Sequence, residues 1–524
     1  MFQVLVADSM SHEGLQPLLD AKNVNIVQKK VEEVEDDLHL FDALLVRSAT
    51  KVTESLLTRM TSLKIVGRAG VGVDNIDVDA ATKKGVVVIN APDGNTISTA
   101  EHTFAMMASL VRHIPQAYVS VKSKEWNRNA FVGAELYGKS LGIIGFGRIG
   151  SELAKRARAF GMTVLVFDPF LTRDRAEKIG VKGCSIEDIL ANSDIITVHT
   201  PLTKETKGLL GKVNIGKTKK GVYLINCARG GIIDEEALIQ YLENGHVRGV
   251  ALDVFEVEPP VNSKLLEFDN VITTPHLGAS TKEAQLNVAT QVSKEVLHFL
   301  EGKPVTSSIN LPTLTKELFE KIQPFYQLGK KMGNIVSQCM REPVQEIAIQ
   351  YEGSVAELET SFITKSLLAG FLSARVDSTV NEVNAGMVAK ERGISFSEKI
   401  SSNQSGYENC ISVHVQGDHK SFEIKGTHVP NYGERIVGIN DFNIDFIPTG
   451  YLLYIQHQDK PGVIGRVGKV LGDHKINIAT TQVGRKEKGG EAIMMLSFDR
   501  SLDEELIDCL KSFEDILSIR TIDL

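Results

Sequence analysis

The sequence predicts an α/β protein built from two doubly wound parallel-sheet domains, then an α+β module and a small ferredoxin-like βαββαβ domain. Three observations carry this expectation. Short apolar runs alternate with amphipathic stretches up to about position 306, as parallel strands with helical crossovers require. "LGIIGFGRIG" at 141–150 sets a glycine-rich turn between a strand and a helix. The final stretch reads strand, helix, strand, turn, strand, helix, strand.

Taken in order, "FQVLVAD", "NVNIVQ", "FDALLVRS", "LKIVGRAG" and "GVVVINAP" read as strands. "SHEGLQPLLDA", "VTESLLTRM" and "NIDVDAATKKG" between them read as helices. Ligands of such sheets lie beyond the carboxyl ends of the strands. "VRSAT" and "GRAGVG" fall there, so Arg47, Ser48, Arg68 and Gly70 are candidate ligand contacts. A long helical stretch at 98–126 follows, which Pro115 should kink or split. Strand–helix units then resume through "MTVLVFD", "SDIITVHTP", "GVYLINCARG", "RGVALDVFE" and "DNVITTPHLG", and a helix at 282–300 ends in the turn-rich "EGKPVTSSIN". Beyond it, "LTKELFEKIQPFYQLGKKMGNIVSQ" reads as helical, and "EIAIQYEG" and "CISVHVQGD" as strands. The last unit runs from "GYLLYIQHQD" to "ILSIRTID".

Composition narrows the function classes. Over 524 residues, 42% are hydrophobic and the formal net charge is -8, so nothing favours nucleic acid or an anionic membrane globally. An anionic small substrate needs a local basic pocket instead. The five cysteines are scattered and odd in number, with no CxxC spacing. A disulfide framework is therefore not expected, and a reducing cytoplasm is the expected setting. "MFQVLVADSM" reads as a first strand rather than a targeting segment, and no apolar run approaches a membrane span. No metal site is expected.

Gly145, Gly147 and Gly150 form G-x-G-x-x-G. The first glycine makes the tight turn, the second admits a pyrophosphate, and the third lets helix and strand pack. The helix N-terminus offers free N–H groups to phosphates. Asp168 ends the next strand, where a carboxylate accepts both ribose hydroxyls and repels a 2′-phosphate, favouring NAD over NADP. Hydride transfer further needs a base for the hydroxyl proton, a cation for the substrate carboxylate and a group that orients the base. Candidates at strand ends are His276, Arg229 and Glu258. From spacing alone, a loop histidine, a helix-capping arginine and a surface glutamate remain open.

"GKSLGIIGFGRIG", "HTPLTKET", "INCARGGIIDEEAL", "ALDVFEVEPP" and "TTPHLGAST" together resemble the D-isomer-specific 2-hydroxyacid dehydrogenases. "VRSAT", "GRAGVGVDNID" and "NAPDGNTISTAEH" narrow the resemblance to the branch that oxidises 3-phospho-D-glycerate, and "HQDKPGVIGRVGKVL" is similar to an ACT domain. The resemblance implies a flavodoxin-like substrate domain (1–97 and 280–306) interrupted by a Rossmann NAD domain (98–279). An intervening regulatory domain (307–448) and an ACT domain (449–524) follow. It implies catalytic roles for Arg229, Glu258 and His276, and NAD contacts at Arg148, Ile149, Asp168, Thr200, Cys227, Ala228, Asp253 and Gly278. Asp253 would face the nicotinamide carboxamide. Arg47, Arg68 and Arg128 are phosphate candidates, Arg128 by reaching a neighbouring subunit, and Asn95 is a donor to the carboxylate or hydroxyl. His457, Asp459 and Asn477 match positions that bind L-serine in regulated relatives, which implies a serine effector and an oligomer, expected to be a tetramer. Hinges are expected near Ser98 and Ser280. Another D-2-hydroxyacid dehydrogenase, of glycerate or lactate type, and a nucleotide-sensing corepressor are the alternatives.

Overall fold

Five parallel strands open the chain, in the spatial order Val24–Gln28, Phe2–Val6, Ala43–Val46, Ile65–Arg68, Val87–Ile89. This 2-1-3-4-5 order is the flavodoxin-like one. The computed structural model describes residues 1–376, 379–401 and 406–524. The crossover helices start where side chains cap them: Ser11 accepts from Gly14 N, Thr53 from Leu56 N and Asp77 from Ala80 N. The much later helix Lys282–Leu300 returns to this sheet and buries Val288, Val292 and Val296 in its core. A Cβ on Gly14 would lie 2.4 Å from the Ala289 Cβ, so glycine sets how closely the two helices approach.

The second sheet has seven parallel strands, ordered Lys182–Gly183, Thr163–Phe167, Ser140–Ile144, Ile195–Val198, Val222–Asn226, Val247–Leu252, Val271–Thr273. Strand order reverses between Ser140–Ile144 and Ile195–Val198, the switch point where doubly wound sheets bind ligands. The expected long helix is split into Thr96–Val111 and Ile114–Lys122, with His113 at φ 54° between them and Pro115 in the second helix's first turn. Met107, Leu110 and Val111 pack the first piece onto the second sheet.

The third sheet is mixed. Its six strands run Ser395–Ser401, Val344–Gly353, Asn409–Gly417, Ser421–Val429, Gly433–Ile439, Phe442–Phe446. Helices Lys316–Cys339 and Thr360–Ser373 cross beside it, burying Leu328, Met332, Ile335, Leu367 and Phe371. The fourth sheet is antiparallel, ordered Ile478–Arg485, Glu491–Phe498, Tyr451–Gln458, Ile516–Asp523, with helices Val463–Asp473 and Glu504–Lys511 on one face. Its other face, carrying Leu452, Tyr454, Ile493, Met495 and Ile522, joins the core of the third unit. That unit in turn docks on the first: Val383 enters its core, and the amides of Asn381 and Asn384 donate to Gly85 O (2.8 Å) and Lys83 O (3.1 Å). Among the described residues, no helix is long and apolar enough to cross a membrane.

Candidate active site

The carboxyl ends of the first two sheets face each other across a cavity of about 570 Å³. Strand Val222–Asn226 delivers Cys227, Ala228 and Arg229 to it, strand Val247–Leu252 delivers Asp253, and strand Val271–Thr273 leads to His276 and Gly278. Asn95, Gly147, Arg148, Ile149 and Thr200 complete the expected residues on its wall. Both chain crossings between the lobes lie here, pinned together by the Thr99 hydroxyl donating to Gly278 O at 3.1 Å.

His276 has φ 55°, a left-handed conformation unusual for a side-chain-bearing residue. Asp253 holds it there. The His276 N–H donates to Asp253 O (3.0 Å), while the Asp253 carboxylate accepts from Leu277 N (2.7 Å), Gly278 N (2.8 Å) and the Thr274 hydroxyl (2.6 Å). His102 Nε2 lies 3.2 Å from the same carboxylate. Burial alone raises the Asp253 pKa, but these donors outweigh it and the net shift is downward. Both oxygens thus accept from the turn that carries His276 and fix it, while Oδ2, with the Gly278 amide as its one donor among these, keeps acceptor capacity on the cavity wall. The turn aims the imidazole so that its Nδ1 lies 2.9 Å from Glu258 Oε2. The other Glu258 oxygen accepts from Phe255 N at 3.1 Å. Sequence spacing left that pairing open; the fold makes it.

The glycine-rich turn carries the expected geometry. Gly145 has φ 96°, and a Cβ there would lie 2.5 Å from His199 O, across the switch point. A Cβ on Gly150 would lie 2.3 Å from Gly145 O, whereas Gly147 has open space above it. Asp168 accepts from Phe146 N and Phe170 N, both at 2.8 Å, one on each oxygen, which leaves acceptor capacity on both. Thr200 Oγ1 and His199 Nδ1 are buried polar atoms without a partner beside the turn. Burial pushes the Cys227 thiol up to about 12, aided by the Asp253 charge, so it stays neutral. Open space over the middle glycine and orphaned polar atoms beside the turn fit a dinucleotide.

Arg229 donates from Nε to Asp74 Oδ2 (3.0 Å) and from Nη1 to Ala228 O (2.7 Å). Arg68 stands near it, with its Nε buried and unpartnered. Burial first, then repulsion from Arg229, lowers its pKa to about 10, so it remains a cation. A Cβ on Gly70 would overlap the Arg68 guanidinium, so Gly70 makes room for Arg68. Other candidates fall elsewhere. Arg47 and Ser48 line a second hollow of about 550 Å³ with Asp8 and Lys30, and Arg47 Nη1 donates to Ser9 O, yet Arg47 stays close enough to Arg68 for their charges to repel. Arg128 is exposed in the turn Arg128–Phe131, off the cavity wall. Arg148 pairs across the cleft with Asp93 (2.5 Å). Asp74, Asp93 and His102 were missed by sequence reasoning. Asp74 lies inside the "GRAGVGVDNID" motif, but nothing in the spacing shows that it meets Arg229 from the opposite lobe.

In the fourth sheet, His457 is buried, its Nδ1 on Gln458 O (2.8 Å) and its Nε2 unpartnered. Asp459 accepts from Gly489 N and Arg485, and the first of these leads in lowering its pKa. Asn477 contacts Asp499 (3.3 Å). The register puts Ile478 opposite Phe498 and His457 opposite Ala492. Asn477 therefore lies at the other end of the sheet from His457 and Asp459.

Residues 104–278 match the NAD-binding domain of D-isomer specific 2-hydroxyacid dehydrogenases. Residues 321–440 match the D-3-phosphoglycerate dehydrogenase intervening domain, and 451–515 the ACT domain. Over 524 residues and the whole of both chains, the sequence is 71% identical to a D-3-phosphoglycerate dehydrogenase of Bacillus subtilis. The chain belongs to the D-3-phosphoglycerate dehydrogenase family. A D-3-phosphoglycerate dehydrogenase of Methanocaldococcus jannaschii is 42% identical, again over all of both chains. A D-lactate dehydrogenase of Aquifex aeolicus, solved with NAD and lactic acid, superimposes with a TM-score of 0.51 at 34% identity, covering 57% of this chain and 96% of its own. The chain is thus an NAD-dependent oxidoreductase, and NAD is its cofactor.

Proposed function

We propose that the chain oxidises 3-phospho-D-glycerate to 3-phosphooxypyruvate, the first step of L-serine synthesis. The single observation that carries this is His276, on the wall of a cavity shared with Arg229 and paired behind it with Glu258 at 2.9 Å. NAD, when bound, supplies the hydride acceptor. With Nδ1–H donated to Glu258, His276 keeps a lone pair on Nε2 to take the substrate hydroxyl proton. Glu258 then stabilises the imidazolium. Arg229 holds the substrate carboxylate and favours charge on the reacting oxygen. Asp168 accepts the ribose hydroxyls, and Arg68, with an unpartnered Nε, takes the phosphate.

Exposed Tyr118, Val119, Trp126, Val132 and Tyr137, which flank exposed Arg128 along the chain, support a second copy seated beside the nucleotide lobe. L-serine then binds where His457 and Asp459 of one ACT unit meet Asn477 of another, paired antiparallel. Two self-complementary surfaces on one chain give a tetramer. Five scattered cysteines with no CxxC spacing are in keeping with a reducing cytoplasm.

The test is NADH formation with 3-phosphoglycerate, D-glycerate and D-lactate. We expect turnover chiefly of the phosphorylated acid, a loss of about 10³-fold in His276→Ala, and a raised KM for that acid alone in Arg68→Gln. Equal turnover of all three acids, indifferent to Arg68, would sink the substrate assignment. L-serine should inhibit, and His457→Ala should relieve the inhibition.

A further inference from the structure

We propose that Asp74 is a positioning residue: its carboxylate fixes the Arg229 guanidinium, and its charge sets how strongly the cleft holds an anionic substrate. This rests on the role of Arg229 proposed above. Asp74 follows the fourth strand of the first sheet, while Arg229 follows the fifth strand of the second, so the contact spans the two lobes. Three fixtures hold the guanidinium. Asp74 Oδ2 takes Nε (3.0 Å), Ala228 O takes Nη1 (2.7 Å), and the Nη2 edge lies over Gly72, where a Cβ would sit 1.8 Å from Nη2 and 2.6 Å from Asp74 Oδ2. Any side chain at 72 would displace both partners. Nη2 is left to meet a carboxylate.

The charge has a second effect. Arg68 is repelled by Arg229 and Arg47, and Asp74 and Asp8 offset that repulsion. Asp74 thereby tempers a cationic cluster that would otherwise hold anions more tightly. Hydrogen bond and charge predict separable kinetic effects. Loss of the bond lets Arg229 wander, which lowers kcat; loss of the charge strengthens the field, which lowers KM.

The experiment compares full-length Asp74→Asn, Asp74→Ala and Gly72→Ala, with Arg229→Gln as control, by kcat and KM for 3-phosphoglycerate at saturating NAD. Asparagine keeps an acceptor, so kcat should stay within about threefold, while KM falls by about two- to fivefold. Alanine should show the same fall in KM, with kcat lower by about 10- to 100-fold. Gly72→Ala keeps the charge, so kcat should drop without any fall in KM; it serves also if an Asp74 variant does not fold. The proposal is overturned if KM rises in both Asp74 variants, if their kcat values are equal, or if Gly72→Ala turns over like the parent. Full turnover in Arg229→Gln would instead overturn the underlying reading. Loss of turnover in Arg229→Gln beside an unaffected Asp74→Ala overturns the positioning role alone.

Discussion

His276 combines a left-handed backbone with an imidazole aimed at Glu258, and buried Asp253 holds the turn that makes this possible. Replacing Glu258 by Gln keeps the shape and removes the charge that steadies the imidazolium. We predict a fall in kcat of about 10- to 100-fold with little change in KM, read by steady-state kinetics. A second residue, His199, links stability to pH. Burial lowers its pKa to about 4, against an unfolded value of about 6.5. Above that value both states are neutral, and the native state has its full stability. As pH falls from about 6.5 towards 4, the unfolded chain takes the proton first and stability is lost; below 4 the loss levels off. The contribution stays under about 3 kcal/mol, since His199 also lines the open cavity. Denaturant midpoints of His199→Asn should show a shallower slope than the parent across that window. Parallel slopes would assign the acid sensitivity to other groups.

At the scale of elements, glycine decides which contacts form. A Cβ on Gly333 would lie 2.1 Å from Leu367 O, and one on Gly370 would lie 2.1 Å from Lys330 O, so helices Lys316–Cys339 and Thr360–Ser373 touch backbone to backbone. Gly333→Ala should therefore destabilise by about 1–3 kcal/mol through overpacking, seen as a lower unfolding temperature with NAD affinity intact. An unchanged melt would mean that the crossing yields freely. The same two helices show where sequence reading thinned out. Their own apolar periodicity was legible, as were strands Val344–Gly353 and Asn409–Gly417. Strand Ser395–Ser401 is exposed along most of its length and has no apolar alternation to announce it. It exists because Val344–Gly353 offers a parallel partner.

For the whole molecule, the arrangement of lobes governs function. Arg229–Asp74 and Arg148–Asp93 span the cleft, the third unit is latched to the first through Asn381 and Asn384, and the fourth sheet buries one face against the third unit. A disturbance in the last domain thus has a continuous packed route to the first. The exposed aromatic surface on the nucleotide lobe points outward. Tyr118→Glu together with Trp126→Glu should yield a smaller species in sedimentation, because burying two carboxylates in an apolar contact is costly. An unchanged sedimentation coefficient would overturn the proposed subunit contact at this surface.

By itself the sequence determined what depends on short-range pattern. The alternation of apolar runs specified both doubly wound sheets, the three glycines specified the cofactor turn, and the strand–helix order specified the last domain, since each is set by local periodicity and backbone freedom. Arg229, Glu258 and His276 were legible as candidates because they end strands that deliver residues to one edge. Only the tertiary structure decided which groups meet: Glu258 on His276, Asp74 on Arg229, both Asp253 oxygens on the turn, Arg47 in a different hollow, and Asn477 at the far end of its sheet. Those pairings join residues up to 155 positions apart, and they follow from how whole lobes pack, a relation that spacing along a chain does not encode.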